Sequence, residues 1–135
     1  VAQGSISLNG KGAAAGPEWM KDQYREALAL GREQNKLVLV NFTGYACTNC
    51  HWMKANMFPR PEISSALNEL VRVDLYIDGG DAASDQNMAL EEQKFQTVSM
   101  PFYALMDGNE QVLATFAGST RDAQEYLAFL KKRPI

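Results

Sequence analysis

Leu37-Val38-Leu39-Val40-Asn41-Phe42-Thr43-Gly44-Tyr45-Ala46-Cys47-Thr48-Asn49-Cys50 passes from an almost unbroken apolar run to two cysteines through a single glycine. Leu37 to Phe42 is too short for a helix of ordinary length and is rich in β-branched and large apolar side chains, so it reads as a central strand covered on both faces. Gly44 marks the turn out of it. A helix is expected to follow from about Thr48 to Met57, to break at Pro59 and to restart at Pro61. The cysteine pair thus falls where a buried strand ends and a helix begins. Backbone N–H groups and the positive end of the helix dipole favour a thiolate there.

Upstream, residues 1–16 are rich in Gly, Ala and Ser and read as a loose lead-in, with Ser5 to Leu8 as a short edge strand. The domain proper is expected to span 17–135. Pro17 to Lys36 is predicted helical, with Trp19, Tyr24, Ala27, Leu28 and Leu30 near helical spacing. Downstream, Val71 to Ile77 alternates and reads as a second strand. Ser84 to Phe95 reads as a helix capped by Ser84 or Asp85. Phe102 to Met106 and Gln111 to Phe116 read as strands joined at Asp107-Gly108-Asn109. Residues 120–132 close the chain as a helix capped by Thr120 or Asp122, with Tyr126, Leu127 and Leu130 on its buried face. This order predicts an α/β fold with a central mixed β-sheet, parallel through the crossovers and antiparallel at the hairpin, flanked by helices on both faces.

Composition narrows the chemistry. The chain has 135 residues, of which 46% are hydrophobic, and a formal net charge of -3. Without a basic run, neither nucleic acid nor an anionic lipid surface is an expected partner. No apolar run reaches the roughly 20 residues that span a bilayer. The chain opens on Val1, which is read as a sign of processing or excision, so a signal peptide or membrane segment upstream stays open. The two cysteines stand three positions apart, and a bridge across so short a loop removes little entropy from the unfolded chain. A closed zinc site takes four ligands; Cys47, Cys50 and His51, the only histidine, give three. Dithiol–disulfide exchange needs the two sulfurs alone. No metal and no small-molecule cofactor is then implied, because the redox-active disulfide is itself the redox group.

In that reading Cys47, nearest the helix start, is the more exposed sulfur with the lower pKa and attacks a partner's disulfide. Cys50 then attacks the mixed disulfide and releases the partner. Tyr45, Ala46 and Trp52 are the apolar rim that a partner would touch. His51 is either a surface residue or a modest electrostatic aid to Cys47. It also completes C-x-x-C-H, the attachment motif of c-type haem, with Met88, Met100 or Met106 as a second axial ligand. A buried strand leading straight into the motif argues against that haem-carrying alternative. A third class is a non-catalytic binding module that keeps the fold for interaction alone.

Val38 to Cys50, the later Met100-Pro101 and the closing hairpin and helix resemble the thioredoxin superfamily over about residues 18–132. Asn41 to Cys50, Trp52-Met53-Lys54, Pro61-Glu62-Ile63 and Pro101 to Asp107 are most similar to the C-terminal periplasmic domain of the thiol:disulfide interchange protein DsbD family. The resemblance implies a periplasmic reductase, either a free-standing monomer or a soluble domain of a membrane-anchored protein. Its electrons would come from a membrane-embedded donor domain and pass to thiol/disulfide proteins. It also implies that Pro101 is cis beside the cysteine pair, turning the Met100 backbone toward an extended substrate segment. The chain departs from the common thioredoxin pattern at Asn41, where that pattern often has a buried Asp as proton acceptor for the second cysteine. Asp74, on the next strand, stands where thioredoxins often have Lys. The paired exchange leads to the expectation that the carboxylate has moved across to Asp74, the alternative being a solvated Asp74 beside Arg72.

Overall fold

The computed structural model describes residues 19–133. The lead-in over 1–16, the strand expected at Ser5 to Leu8 and the helix start expected at Pro17 lie outside the described residues. The elements run β1 (Met20–Lys21), α1 (Tyr24–Gln34), β2 (Val38–Thr43), α2 (Thr48–Trp52), a π-helical turn (Met53–Met57), α3 (Pro61–Asn68), β3 (Val71–Tyr76), α4 (Ala82–Phe95), β4 (Phe102–Met106), β5 (Val112–Ala117) and α5 (Ala123–Leu130). The sheet order is β1-β3-β2-β4-β5. β3 is parallel to both β1 and β2, whereas β4 is antiparallel to β2 and β5.

β2 is central because every one of its residues is buried. Alternation sorts its side chains between two cores. Val38, Val40 and Phe42 meet Val73, Leu75 and Ala104 under α1 and α4. Leu39 meets Tyr103 and Leu105 under Met53, Met57, Ile63, Leu67 and Tyr126 of the opposite helical layer. Burying a Leu, Val or Phe side chain stabilises by about 1.5–3 kcal/mol relative to exposure, so the two cores hold the sheet from both sides.

Several expectations need correction. Trp19 to Lys21 is not helical. Met20 and Lys21 pair with Val73 and Asp74 of β3, and the helix starts only at Tyr24. Asp22 turns the chain between them at a φ of 56°. Its carboxylate accepts from the Tyr76 N–H (3.0 Å) and Asn87 Nδ2 (2.9 Å), which offsets the cost of that conformation. The cap of α4 is Asp81, whose side chain accepts from the Ser84 N–H at 2.9 Å. Ser84 instead turns its hydroxyl to the Gly79 N–H. The segment after the cysteines is not one regular helix: past Trp52 it widens, and the Phe58 N–H reaches back five residues to Met53 O. That wider turn lets Met53, Met57 and Phe58 all enter the core. In α5, Phe129 is buried with Tyr126 and Leu130, while Leu127 is half-buried. Asp122, one of the two caps expected, holds its first turn.

α4 also buries an acid with no partner. Glu91 has no exposed surface and neither carboxyl oxygen finds a hydrogen bond. Burial pushes its pKa up to about 8, from 4.5 when unburied. The folded chain therefore keeps Glu91 protonated where the unfolded chain has lost that proton. This makes the contribution to stability fullest below pH 4.5, declining as pH rises through the window to about 8. Glu91→Gln is expected to flatten stability over that window, with a gain on the order of 1–3 kcal/mol at its alkaline end, measured by urea unfolding across pH.

Candidate active site

The C-terminal end of β2 delivers the chain to the site. Gly44 follows, and a Cβ there would stand 2.6 Å from Met100 Sδ and 2.7 Å from Asp78 Oδ2. The absence of a side chain at this position is what lets the turn pack against both. Met100-Pro101 is a cis peptide bond, as the resemblance implied. Pro101 is buried, Met100 is half-buried, and the β4 ladder begins one residue later at Phe102. The cysteine turn and the Met100-Pro101 loop are therefore neighbours.

Cys47 and Cys50 are joined in a disulfide, with Cα atoms 5.2 Å apart. Cys47 is the N-cap of α2 and its sulfur accepts the Cys50 N–H at 3.1 Å. Cys47 retains 8% of its surface and Cys50 3%, so Cys47 is the less buried of the two. The sulfur thus occupies the place that a Ser or Asp oxygen takes at an ordinary helix start, where negative charge is stabilised.

Tyr45 and Ala46 are exposed at the rim, and their backbone is anchored. Asp78 Oδ1 accepts from the Tyr45 N–H (2.8 Å) and Oδ2 from the Ala46 N–H (3.0 Å). The Ala46 N–H, with that of Tyr45, holds the Asp78 carboxyl below the usual carboxylate range. His51 Nε2 lies 2.7 Å from Tyr45 O; a carbonyl only accepts, so this nitrogen carries the proton and donates. The nitrogen that haem ligation would need is thereby engaged in holding the turn. The Tyr45 ring stacks on Tyr76 at 4.1 Å, with Lys21 Nζ about equally near both rings. Trp52 is half-buried against the second core, with the Arg121 guanidinium 4.4 Å from its ring centre.

Beneath α2, Asn41 and Asp74 are register partners on β2 and β3. Asn41 Nδ2 donates to Asp74 Oδ1 at 2.9 Å. Lys54 pairs with Asp74 Oδ2. Asp74 is buried rather than on a solvated face, and burial pushes its carboxyl pKa up, against Lys54 and Asn41, which favour the charged form. Asn41 Oδ1 is buried with no hydrogen-bond partner. The residues missed from sequence are Asp78 and Lys54. Lys54 carried one legible signal: it stands four residues after Cys50, the spacing of one helical turn.

Among known proteins, no curated protein matches the chain. Solved structures do match. A thioredoxin from Thermus thermophilus is 21% identical with a TM-score of 0.68, covering 85% of this chain and 86% of its own. A DsbH oxidoreductase is 20% identical with a TM-score of 0.66, covering 94% of each chain. The oxidised DsbD C-terminal domain of Neisseria meningitidis is 17% identical with a TM-score of 0.62, covering 82% of this chain and 95% of its own. These likenesses are of fold: the same mixed sheet with helices on both faces. A family model described as Thioredoxin-like matches residues 18–108, and the chain belongs to that thioredoxin-like family.

Proposed function

We propose that this chain is a thiol–disulfide oxidoreductase that reduces disulfides in protein partners through Cys47 and Cys50. The observation that carries the reading is the position of Cys47: a sulfur capping a helix where the chain turns out of the sheet, bonded to that of Cys50, the more deeply buried of the two residues. In the dithiol form, the Cys47 thiolate attacks one sulfur of a partner disulfide. The partner's S–S bond breaks, and its other sulfur leaves as a thiolate. Cys50 loses its proton and attacks Cys47 Sγ, so the intramolecular bond forms as the mixed disulfide breaks. Two electrons have then moved from the dithiol to the partner. A membrane-embedded donor domain returns them, which fits a periplasmic setting. The fold likeness to a DsbD C-terminal domain is in keeping with this reading. Among the described residues no helix is long and apolar enough to cross a membrane.

Tyr45, Ala46, Met100 and Pro101 form the surface on which an extended partner segment would lie, with main-chain pairing at the Met100-Pro101 loop. Asp74 is the proton acceptor for Cys50, directly or through water. Its burial supports the role, because a carboxyl with a raised pKa is a stronger base toward a thiol.

Cys50→Ala is expected to leave partners trapped on Cys47 as mixed disulfides, recovered on non-reducing gels from periplasmic extract. A variant that traps none would sink the reductase reading in favour of a binding module. A strongly reducing potential against glutathione is the companion result; a value near that of a folding oxidase would reverse the direction of flow.

Asp74→Asn is expected to slow disulfide reduction on the order of tenfold to a hundredfold at neutral pH. The base acts ionised, so the native rate falls as pH drops through the Asp74 pKa, above the usual carboxylate range because burial raises it. The Asn variant lacks that acid limb, and its pH–rate profile follows thiol ionisation alone.

A further inference from the structure

Tyr45 stands two positions before Cys47, with half of its surface open to solvent. Its ring is nevertheless fixed. One face stacks on Tyr76, with ring centres 4.1 Å apart and planes 19° from parallel. One edge packs at Gly79, where a Cβ would stand 3.4 Å from Tyr45 Cε2 and 3.3 Å from Asp81 Oδ1. Lys21 Nζ lies 5.0 Å from the centre of the Tyr45 ring and 5.2 Å from that of Tyr76. A cation over the outer face of Tyr45 would be much farther from Tyr76 than from Tyr45. The near-equal distances therefore place the Lys21 ammonium beside the stack and not on that outer face. The surroundings carry an excess of negative charge. Asp22 follows β1, Asp78 follows β3 and Asp81 caps α4. Each carboxylate is held by N–H groups: Asp22 by Tyr76 and Asn87, Asp78 by Tyr45 and Ala46, Asp81 by Ser84. These bonds fix the three carboxylates in place and leave their charge. Against them stand Lys21 and the imidazole of His51, which is spent on Tyr45 O.

We propose that the outer face of Tyr45 is a subsite for a cationic side chain, arginine or lysine, standing beside the reacting cysteine of a partner segment. This rests on Cys47 being the sulfur that attacks the partner. The face of an aromatic ring attracts a cation through its quadrupole, and the stack already holds one in Lys21. A second cation meets a rigid ring in a setting of net negative charge. An acidic side chain in the same place meets like charge from Asp22, Asp78 and Asp81. An aliphatic one gains apolar contact alone. The subsite thus ranks partners by the residue next to their cysteine, with attraction for one charge and repulsion for the other.

The test uses the reduced chain and short symmetrical peptide disulfides. The peptides are identical except that the residue on one side of the cysteine, then on the other, is Arg, Leu or Glu. Each turnover forms the Cys47–Cys50 bond and releases two peptide thiols, which are counted by chromatography. Rates are divided by each variant's own rate with a small neutral aryl disulfide. On the side that meets Tyr45, the Arg peptide is expected to react about fivefold faster than the Leu peptide and about twentyfold faster than the Glu peptide at low salt. The contrast with Glu should shrink at about 0.5 M salt. A peptide with its Arg four residues from the cysteine should react like the Leu peptide, which separates the subsite from a general attraction to a negative chain. Tyr45→Leu should bring the Arg and Leu peptides within about twofold. Asp22→Asn keeps the side-chain acceptor of its turn and Asp81→Ser keeps the cap, so together they remove charge alone and should cut the Arg-to-Glu ratio about threefold. Equal rates for the three peptides overturn the subsite and leave exchange at Cys47 standing. A Leu peptide as fast as the Arg peptide, a Glu peptide that is faster, or an Arg advantage unchanged in Tyr45→Leu overturns it as well. Peptide reduction that survives Cys47→Ala overturns the assignment of the attacking sulfur, and the subsite with it.

Discussion

The burial of β2 at every position is the constraint on which the rest depends. A strand with no exposed face must have both edges paired and both sides covered, which here takes β3, β4 and two helical layers. Once the strand is enclosed, the chain surfaces at its end, in the turn from Gly44 to Ala46. The reactive pair follows directly: Cys47 has limited access to solvent and Cys50 has its back to the core. The reactivity of the site is thus a property of where a buried strand stops.

The same enclosure explains the polar cluster beneath the helix. Asn41 sits on the fully buried strand, where an ionised side chain would need a partner within reach. An amide there costs less, provided its donor is used, and Asp74 uses it. The carboxylate stands one strand over on β3, where Lys54 reaches it from the partly exposed turn after α2. Charge is therefore kept one strand away from the centre of the sheet and tied to a residue that touches water.

Much of this was legible because periodicity and punctuation agreed. The apolar run into Gly44 and the cysteines fixed β2 and the start of α2, and Asp107-Gly108-Asn109 marked the hairpin of β4 and β5. The features that escaped depend on contacts distant in sequence. β1 is two residues held by β3, and Trp19 fitted a helical stripe although its ring packs on Phe58. Asp81 and Asp78 both stood in an acidic loop, with nothing local to show that one caps α4 and the other binds the turn at Tyr45 and Ala46. The π-helical turn follows from which side chains the core must accept, a tertiary demand that no local propensity encodes. For Asp74, alternation with Arg72 left a solvated face open as the alternative, and burial of its side chain, again a tertiary contact, removes that alternative.

Anchoring of the Tyr45–Ala46 backbone by Asp78 and His51 bears on how a partner is recognised. Ordering one residue of a mobile loop costs about 1–2 kcal/mol in conformational entropy. Here that ordering is complete before any encounter, and the Tyr45 ring is already laid on Tyr76 beneath Lys21. The surface beside the sulfur is a preformed template, so the entropy lost on docking falls mainly on the incoming segment. Such a site discriminates by how readily a partner's disulfide-bearing strand can be made to extend, favouring segments that are loosely folded over those locked in a rigid domain.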